Sequence, residues 1–283
     1  MRFTKMHGCG NDYVYVDAWR ERLPADLPGC ARRISDRHTG VGADGLIIVG
    51  PSRLADARMT MFNADGSRSE MCGNGIRCAA KLAYDHGHVR ARSMRFETGA
   101  GVLAVDLRMR GTRVVGASVA MGAPRLTPGL VPVRRAGRGP KLVVTVAAAG
   151  GRHRLIAVGM GNPHAVCFVD DPDRFPVAEV GAAIERHPTF PKRTNVEFVA
   201  RLRDERGRPV LRQRTWERGS GETQACGTGA CAVLVAAILD GRIDRRDATI
   251  RLDGGDLEVS WPTDDATVIM TGPAVSVFSG VWP

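Results

Sequence analysis

Two short phrases hold the residues best suited to chemistry, Cys72-Gly73-Asn74-Gly75 and Cys226-Gly227-Thr228-Gly229. A thiol accepts a proton only as its thiolate, and a helix N-terminus can lower a cysteine pKa from about 8.5 toward 7 or below. Both cysteines stand where an apolar, helix-like run is about to begin. The glycines after them allow close approach of a ligand to the backbone and leave amide groups free to hold an anion. Each phrase therefore offers a proton carrier beside a carboxylate cradle. Two such phrases facing one another would hold an amino-acid carboxylate with one sulfur on either side of the α-carbon. One thiolate would remove the α-proton, and the opposite thiol would return a proton to the other face. Amide donors aimed at the developing charge contribute roughly 3 kcal/mol each, so this scheme calls for no cofactor.

The remaining cysteines read differently. Cys78, Cys167 and Cys231 lie inside apolar patterns and read as core. Cys30 is less distinctive, and Cys9 falls in a glycine-rich turn. Seven cysteines cannot all pair internally, and a reducing compartment keeps them as thiols. No Cys-x-x-Cys occurs, and the histidine pair His86 and His88 has no matching partner cluster in the sequence, so no metal is expected.

The elements that must position the two phrases are mostly strands. Period-two apolar stretches run at 13–17, 46–49, 101–107, 141–146, 155–158 and 165–169, and again near 194–199, 211–216, 249–252, 257–261 and 267–270. Helical patterns fall near 28–37 and 177–186, with two more at 76–84 and 230–239 that are apolar almost all round and so belong in an interior. Gly87 and Gly241 follow these last two and suit left-handed C-terminal caps. Upstream of each phrase stands a Gly-Ser pair, Gly66-Ser67 and Gly219-Ser220, and then an acid, Glu70 or Glu222. The expectation is an α/β (α+β) chain of two pseudo-symmetric domains, each a strand layer wrapped around a central buried helix. The first covers 1–121 with the last strands, about 269–283, and the second covers 122–268. The arginine-bearing stretch 132–140 reads as a loop.

Hydrophobic residues form 43% and charged residues 25% of the 283, a balance that builds a real core. The net charge of +10 and pI near 9.8 invite a nucleic-acid reading. Against it, lysine occurs only at Lys5, Lys81, Lys141 and Lys192, the arginines are dispersed, and aromatics, at 5%, do not interleave with them. No nucleic-acid partner is expected. The N-terminal residues turn polar at once and no apolar run is long enough to span a bilayer, so a cytoplasmic protein with no membrane association is expected.

These motifs resemble those of diaminopimelate epimerases, and the likeness runs along nearly the whole chain. It takes in Lys5-Met6-His7-Gly8, Gly10-Asn11-Asp12-Tyr13, Gly42-Ala43-Asp44-Gly45, Phe62-Asn63-Ala64-Asp65-Gly66-Ser67, the stretch from Glu70 to Cys78, and Glu97-Thr98-Gly99. It continues through Gly161-Asn162-Pro163-His164, Asn195-Val196-Glu197-Phe198, and Trp216 to Thr223 with Ala225 to Gly229. The resemblance implies two mirrored α/β domains with substrate between them, interconversion of L,L- and meso-2,6-diaminopimelate in lysine and peptidoglycan-precursor synthesis, and a homodimer. It implies Cys72 and Cys226 as acid and base. It places Asn11, Asp44, Asn63, Gly73, Asn74, Asn162, Asn195, Gly227 and Thr228 at the substrate, with Arg218 on the distal carboxylate, Glu217 on the distal ammonium and His164 tuning a thiol. Cys9 departs from the family, which often has a hydrophobic residue there.

Three other readings compete. A proline or hydroxyproline racemase would share the two thiols, but its substrate gives Glu217, Arg218, Asn63 and Asn195 no second amino-acid end to bind. A basic binding protein would show salt-dependent nucleic-acid affinity. A thiol-redox protein lacks its Cys-x-x-Cys.

Overall fold

The computed structural model describes residues 1–134 and 141–283, so most of the loop expected at 132–140 lies outside the described residues. The chain divides into two compact units, residues 1–120 with 271–283, and residues 121–270.

Unit 1 begins with β1 (Arg2–Gly8), β2 (Asn11–Asp17), α1 (Leu27–Ser35), β3 (Gly45–Gly50), β4 (Ala57–Asn63) and the short β5 (Arg68–Ser69). It continues with α2 (Gly73–Asp85), β6 (Ser93–Thr98), β7 (Gly101–Arg110) and β8 (Arg113–Ala120). β1 pairs antiparallel with β2, β2 parallel with β3, β3 antiparallel with β4, and β4 parallel with β6, which opens the β6–β7–β8 meander. The parallel steps need crossover segments, and α2 lies in one of them, between β4 and β6. It packs against β1, β2, β3, β4, β6, β7 and β8. Ile76, Cys78, Ala79, Ala80, Leu82 and Ala83 on it are buried. Outside this layer α1 lies on β3 and β4, and Cys30, Ala31 and Ile34 pack with Val14, Val16, Leu46 and Phe62.

Unit 2 contains β9 (Leu142–Ala148), β10 (Gly151–Gly159), β11 (Pro163–Phe168), α3 (Val177–Glu185), β12 (Asn195–Arg201), β13 (Val210–Glu217), β14 (Gly221–Thr223), α4 (Gly227–Leu239), β15 (Asp247–Leu252) and β16 (Gly255–Ser260). β9, β10 and β11 form a meander, β11 runs parallel to β12, and β12–β13 is a long hairpin. β13 runs parallel to β15, which pairs antiparallel with β16. The crossover between the parallel strands β13 and β15 carries α4, packed on β10, β11, β12, β13, β15 and β16 with residues 229–237 all buried. Two strands end the chain, β17 (Ile269–Pro273) and β18 (Val275–Val281). β18 pairs antiparallel with β1 inside unit 1.

The strand-rich α/β character expected from the sequence is present. Four differences have physical causes. Both central helices are interior as expected, but α2 carries its polar residues differently from α4, burying Arg77 completely and pairing Lys81 with the exposed Asp85 at 2.6 Å. Both central helices start three residues before their apolar runs, at Gly73 and Gly227, because the first turn carries glycines that hydropathy does not register. β7 exposes most of its side chains, and β6 and β8 each expose alternate ones; of the three only β7 is visible as an apolar stretch. β1 breaks its pairing register with β18 between Lys5 and Met6, which interrupts strict alternation.

Candidate functional site

In each unit the same local construction delivers a cysteine. β4 ends in a turn through Gly66, β5 folds back onto β4, and the chain enters α2 at Cys72. In unit 2, β13 ends in a turn through Gly219, β14 folds back onto β13, and the chain enters α4 at Cys226. Both turn glycines have φ near +81°, a conformation that disfavours side chains. Cys72 and Cys226 both have extended backbone angles and act as N-caps. The sulfur of Cys72 accepts the amide N–H of Gly75 at 3.3 Å, and that of Cys226 accepts the amide N–H of Gly229 at 3.4 Å. The start of a helix is thus used as the sequence reading expects, with one amide of the first turn directed at the sulfur.

The last glycine of each phrase has a use the sequence does not reveal. A Cβ on Gly75 would stand 2.7 Å from Ile47 Cδ1, and one on Gly229 would stand 2.7 Å from Glu197 Oε1 and 3.1 Å from Gln213 Nε2. These two glycines admit packing beneath the cysteine.

Around Cys72 the expected polar residues form a network. Its thiol donates to Asn11 Oδ1 at 3.4 Å, Asn11 Nδ2 donates to Asp44 Oδ2 at 2.7 Å, and Asn74 Nδ2 also donates to Asn11 Oδ1. Asp44 is anchored in turn by the amide of Asp12 and by Arg37. Asn63 is joined to this group through the backbone, since Ala64 N–H bonds to the Asp44 carbonyl, and its own amide donates to Ser67. Arg77 is a participant the sequence reading left without a role. Fully buried, it donates to Asn74 Oδ1 at 2.9 Å, to the Gly73 carbonyl at 3.1 Å and to the Pro273 carbonyl at 3.2 Å. A lone arginine in the apolar run 76–84 was the available signal. Burial, and Cys72 beside it, push the Tyr13 phenol well above its usual range, so it remains protonated.

Around Cys226 the polar layer is deeper. Thr228 Oγ1 lies 3.5 Å from the sulfur. His164 is fully buried, with Nδ1 2.7 Å from Glu197 Oε1 and Nε2 2.9 Å from Asn162 Oδ1. Ligand atoms of His164, Glu197 and Cys226 lie within 4.8 Å of one another. Asn195 Oδ1 accepts the backbone N–H of Arg218 at 2.8 Å, and the exposed Arg218 guanidinium donates to the Lys192 carbonyl. Glu217 accepts from Thr223 at 2.6 Å. Glu197 carries no role in the sequence reading, yet it is completely buried in β12 among Val196, Phe198 and Val199, and its Oε2 has no partner among the described residues. A single carboxylate in an apolar strand is the mark that could have singled it out.

The expectation of a lowered thiol pKa fails at Cys226. Burial raises it first, and Glu217 and Glu197 raise it further, outweighing the bonds from Thr228 and Gly229. The helix terminus is present, but the surroundings keep this sulfur protonated. Burial pushes Cys78 and Cys167 up to about 11, as suits cysteines of the core. Cys9 is buried in the β1–β2 turn at φ 55°.

The sequence offers His86 and His88 no partner cluster, and the structure brings them one carboxylate, that of Asp17, whose Oδ2 lies 2.7 Å from a ring nitrogen of each. Asp17 is 69 residues away from His86 along the chain, beyond the reach of any spacing argument.

No helix among the described residues is long and apolar enough to cross a membrane. The sequence profile described as diaminopimelate epimerase matches residues 3–127 and 156–277. The chain is 50% identical to the diaminopimelate epimerase of Moorella thermoacetica over 283 residues, covering 100% of this chain and 99% of that one. It is 49% identical to that of Leptospira biflexa, covering 99% and 98%. Among solved structures, a probable proline racemase from Agrobacterium radiobacter superposes with a TM-score of 0.69 at 16% identity, covering 100% of this chain and 92% of that one. A PhzF-family phenazine biosynthesis protein from Bacillus anthracis gives 0.69 at 15%, covering 99% and 98%. At such identities these two structures establish a shared fold only, whereas the sequence matches run from end to end: the chain belongs to the diaminopimelate epimerase family.

Proposed function

We propose that this chain is an isomerase that interconverts L,L- and meso-2,6-diaminopimelate without a cofactor, in lysine and peptidoglycan-precursor synthesis, using Cys72 and Cys226 as its two proton carriers. The observation that carries the reading is the repeated construction that makes each cysteine the N-cap of a buried helix, with an amide bonded to its sulfur, in a chain of this family. Cys226, held protonated by burial and two carboxylates, starts as the donor, which gives Cys72 the role of acceptor in that direction. The Cys72 thiolate takes the α-proton and leaves the electron pair on the α-carbon, delocalised into the carboxylate. The Cys226 thiol then protonates the opposite face, so the configuration inverts and the two sulfurs exchange protonation states.

The first-turn amides of Gly73, Asn74, Gly227 and Thr228 hold the reacting carboxylate. Asn11, held by Asp44, and Asn162, bonded to His164, direct the α-substituents, and His164 with Glu217 tunes the thiol chemistry. For the distal end the exposed guanidinium of Arg218 suits a carboxylate, Glu217 an ammonium, and the amides of Asn63 and Asn195 fix direction. A second amino-acid end favours this substrate over proline. By the same resemblance we infer a cytoplasmic homodimer that takes this small molecule and no nucleic acid as its partner.

The purified chain, given L,L-diaminopimelate in deuterated water without pyridoxal phosphate, is expected to form the meso isomer with deuterium at the inverted carbon. Cys72→Ala and Cys226→Ala should each reduce turnover by about a thousandfold or more with an unchanged circular dichroism spectrum. Substantial turnover in either folded variant would remove the two-thiol reading.

A further inference from the structure

We propose that Asp17, His86 and His88 form a binding site for a divalent ion of the zinc class on unit 1, at the opposite end of α2 from Cys72. The three side chains arrive from two directions onto one point. Asp17 is the last residue of β2, and its carboxylate is fixed by the amide of Trp19 on Oδ1. His86 is the C-cap of α2, with its N–H on the Leu82 carbonyl. Gly87, at φ +76°, turns the chain so that the His88 amide bonds to the Ala83 carbonyl, and the two imidazoles return toward the same carboxylate oxygen. The His88 ring is further set by stacking on Trp19, with centroids 4.3 Å apart and planes 12° from parallel.

His86 Nδ1 and His88 Nε2 each lie 2.7 Å from Asp17 Oδ2. Without a metal, each contact requires a proton on that ring nitrogen. An ion of the zinc class would replace those protons, with two imidazole nitrogens and one carboxylate oxygen as ligands and a solvent molecule as the fourth. Tetrahedral ligation at about 2.0–2.1 Å separates ligand atoms by about 3.3 Å, so each imidazole–carboxylate contact has to open by roughly half an ångström, and all three ligand atoms already lie within 4.8 Å of one another. The donor set, two nitrogens and one oxygen, suits zinc better than calcium or magnesium.

Two surrounding features favour a cation. The C-terminal end of α2, a helix of 13 residues, presents the negative end of its dipole. A cavity of about 400 Å³ opens onto Asp17 and His86, giving an ion a way in. A rival charge is present as well: Arg20 Nε is 3.7 Å from Asp17 Oδ2, but this side chain is 56% exposed and free to turn outward, held by one bond to the His86 carbonyl. An ion there would fasten the end of β2 to the end of the helix whose beginning is Cys72.

The test is a titration of the chelator-treated full-length chain with zinc chloride by calorimetry, paralleled by cobalt(II) absorbance. The expected result is one ion bound through nitrogen and oxygen, without a thiolate-to-cobalt charge-transfer band, together with a higher melting temperature. His88→Gln should weaken that binding by roughly tenfold or more while circular dichroism stays unchanged, and His86→Gln should do the same. The proposal is overturned by binding whose only signature is the thiolate band, by an affinity that both folded variants retain, or by no binding at millimolar zinc.

Discussion

At Cys226 three influences compete, and the order of their strengths decides what the sulfur can do. The helix terminus and the Gly229 amide favour the thiolate, while burial and the carboxylates of Glu217 and Glu197 favour the thiol and prevail. The thiol should therefore ionise only above the ordinary cysteine value of about 8.5. Carbamidomethylation followed residue by residue by mass spectrometry should show the Cys226 rate still rising beyond that pH, in contrast to a thiolate activated below neutrality, whose rate would already be level. A plateau near pH 7 would mean that the two carboxylates do not act on this sulfur as their placement indicates. A single sequence shows the helix start and the glycines, because these are local. It does not show the carboxylates, because Glu197 comes from a strand 29 positions upstream of Cys226 and reaches it only through tertiary structure. The same reason hides Asp17 from His86 and His88, and the reach of Arg77 to Pro273.

Each central helix is introduced by a strand, a glycine turn, a returning strand and a cysteine N-cap; the glycine and the cysteine were legible as a repeated phrase of residues, while β4 and the returning strands were not. Nor was the packing under the phrase. At Gly229 the third residue after the cysteine lies against Glu197 and Gln213, both fully buried. Gly229→Ala gains helix propensity of about 1 kcal/mol, yet the added carbon collides with a buried carboxylate whose Oε1 is engaged with His164, an overpacking that costs about 1–3 kcal/mol. The collision should win, lowering the urea midpoint and slowing turnover by moving Glu197 relative to Cys226. An unchanged midpoint and unchanged turnover would show that the contact yields freely. Strand recognition from alternation worked at β9 and β15 but passed over β6, whose short run SMRFET alternates between exposed and buried residues. It failed at β1, where the register shifts at Lys5/Met6, and at β18, whose side chains are exposed on both faces for most of its length.

Across the molecule many of the arginines are paired with carboxylates. Arg251 bonds to both Glu205 and Asp256, Arg212 to Asp173 and Asp253, Arg214 to Glu222, and Arg154 with Lys141 and Arg242 surrounds Asp240. Pairs at the surface contribute little each because solvent screens them, but together they fix how stability responds to acid. Arg154, against the opposing effect of burial, holds the Asp240 carboxyl well below the usual range. Burial alone would raise Asp12, but Arg37 and Lys5 outweigh it and lower the carboxyl. Arg251 lowers Glu205. For such groups the stabilisation is complete above the unfolded value of about 4 and is lost as pH falls through the lower folded values. The urea midpoint should therefore decline below about pH 4, and a midpoint level from pH 5 to pH 2 would contradict these pairings.

The terminal ammonium of Met1 bonds to the Trp282 carbonyl at 2.7 Å, and the Trp282 amide returns a bond to the Met1 carbonyl at 2.8 Å. The strand that starts the chain thus lies beside the strand that ends it, and unit 2 is one uninterrupted segment of sequence inserted between the two parts of unit 1. On a ribosome the order of birth and the order of completion are consequently reversed. All of unit 2 has been synthesised before β18 exists, so until then β1 has one edge lacking its native neighbour.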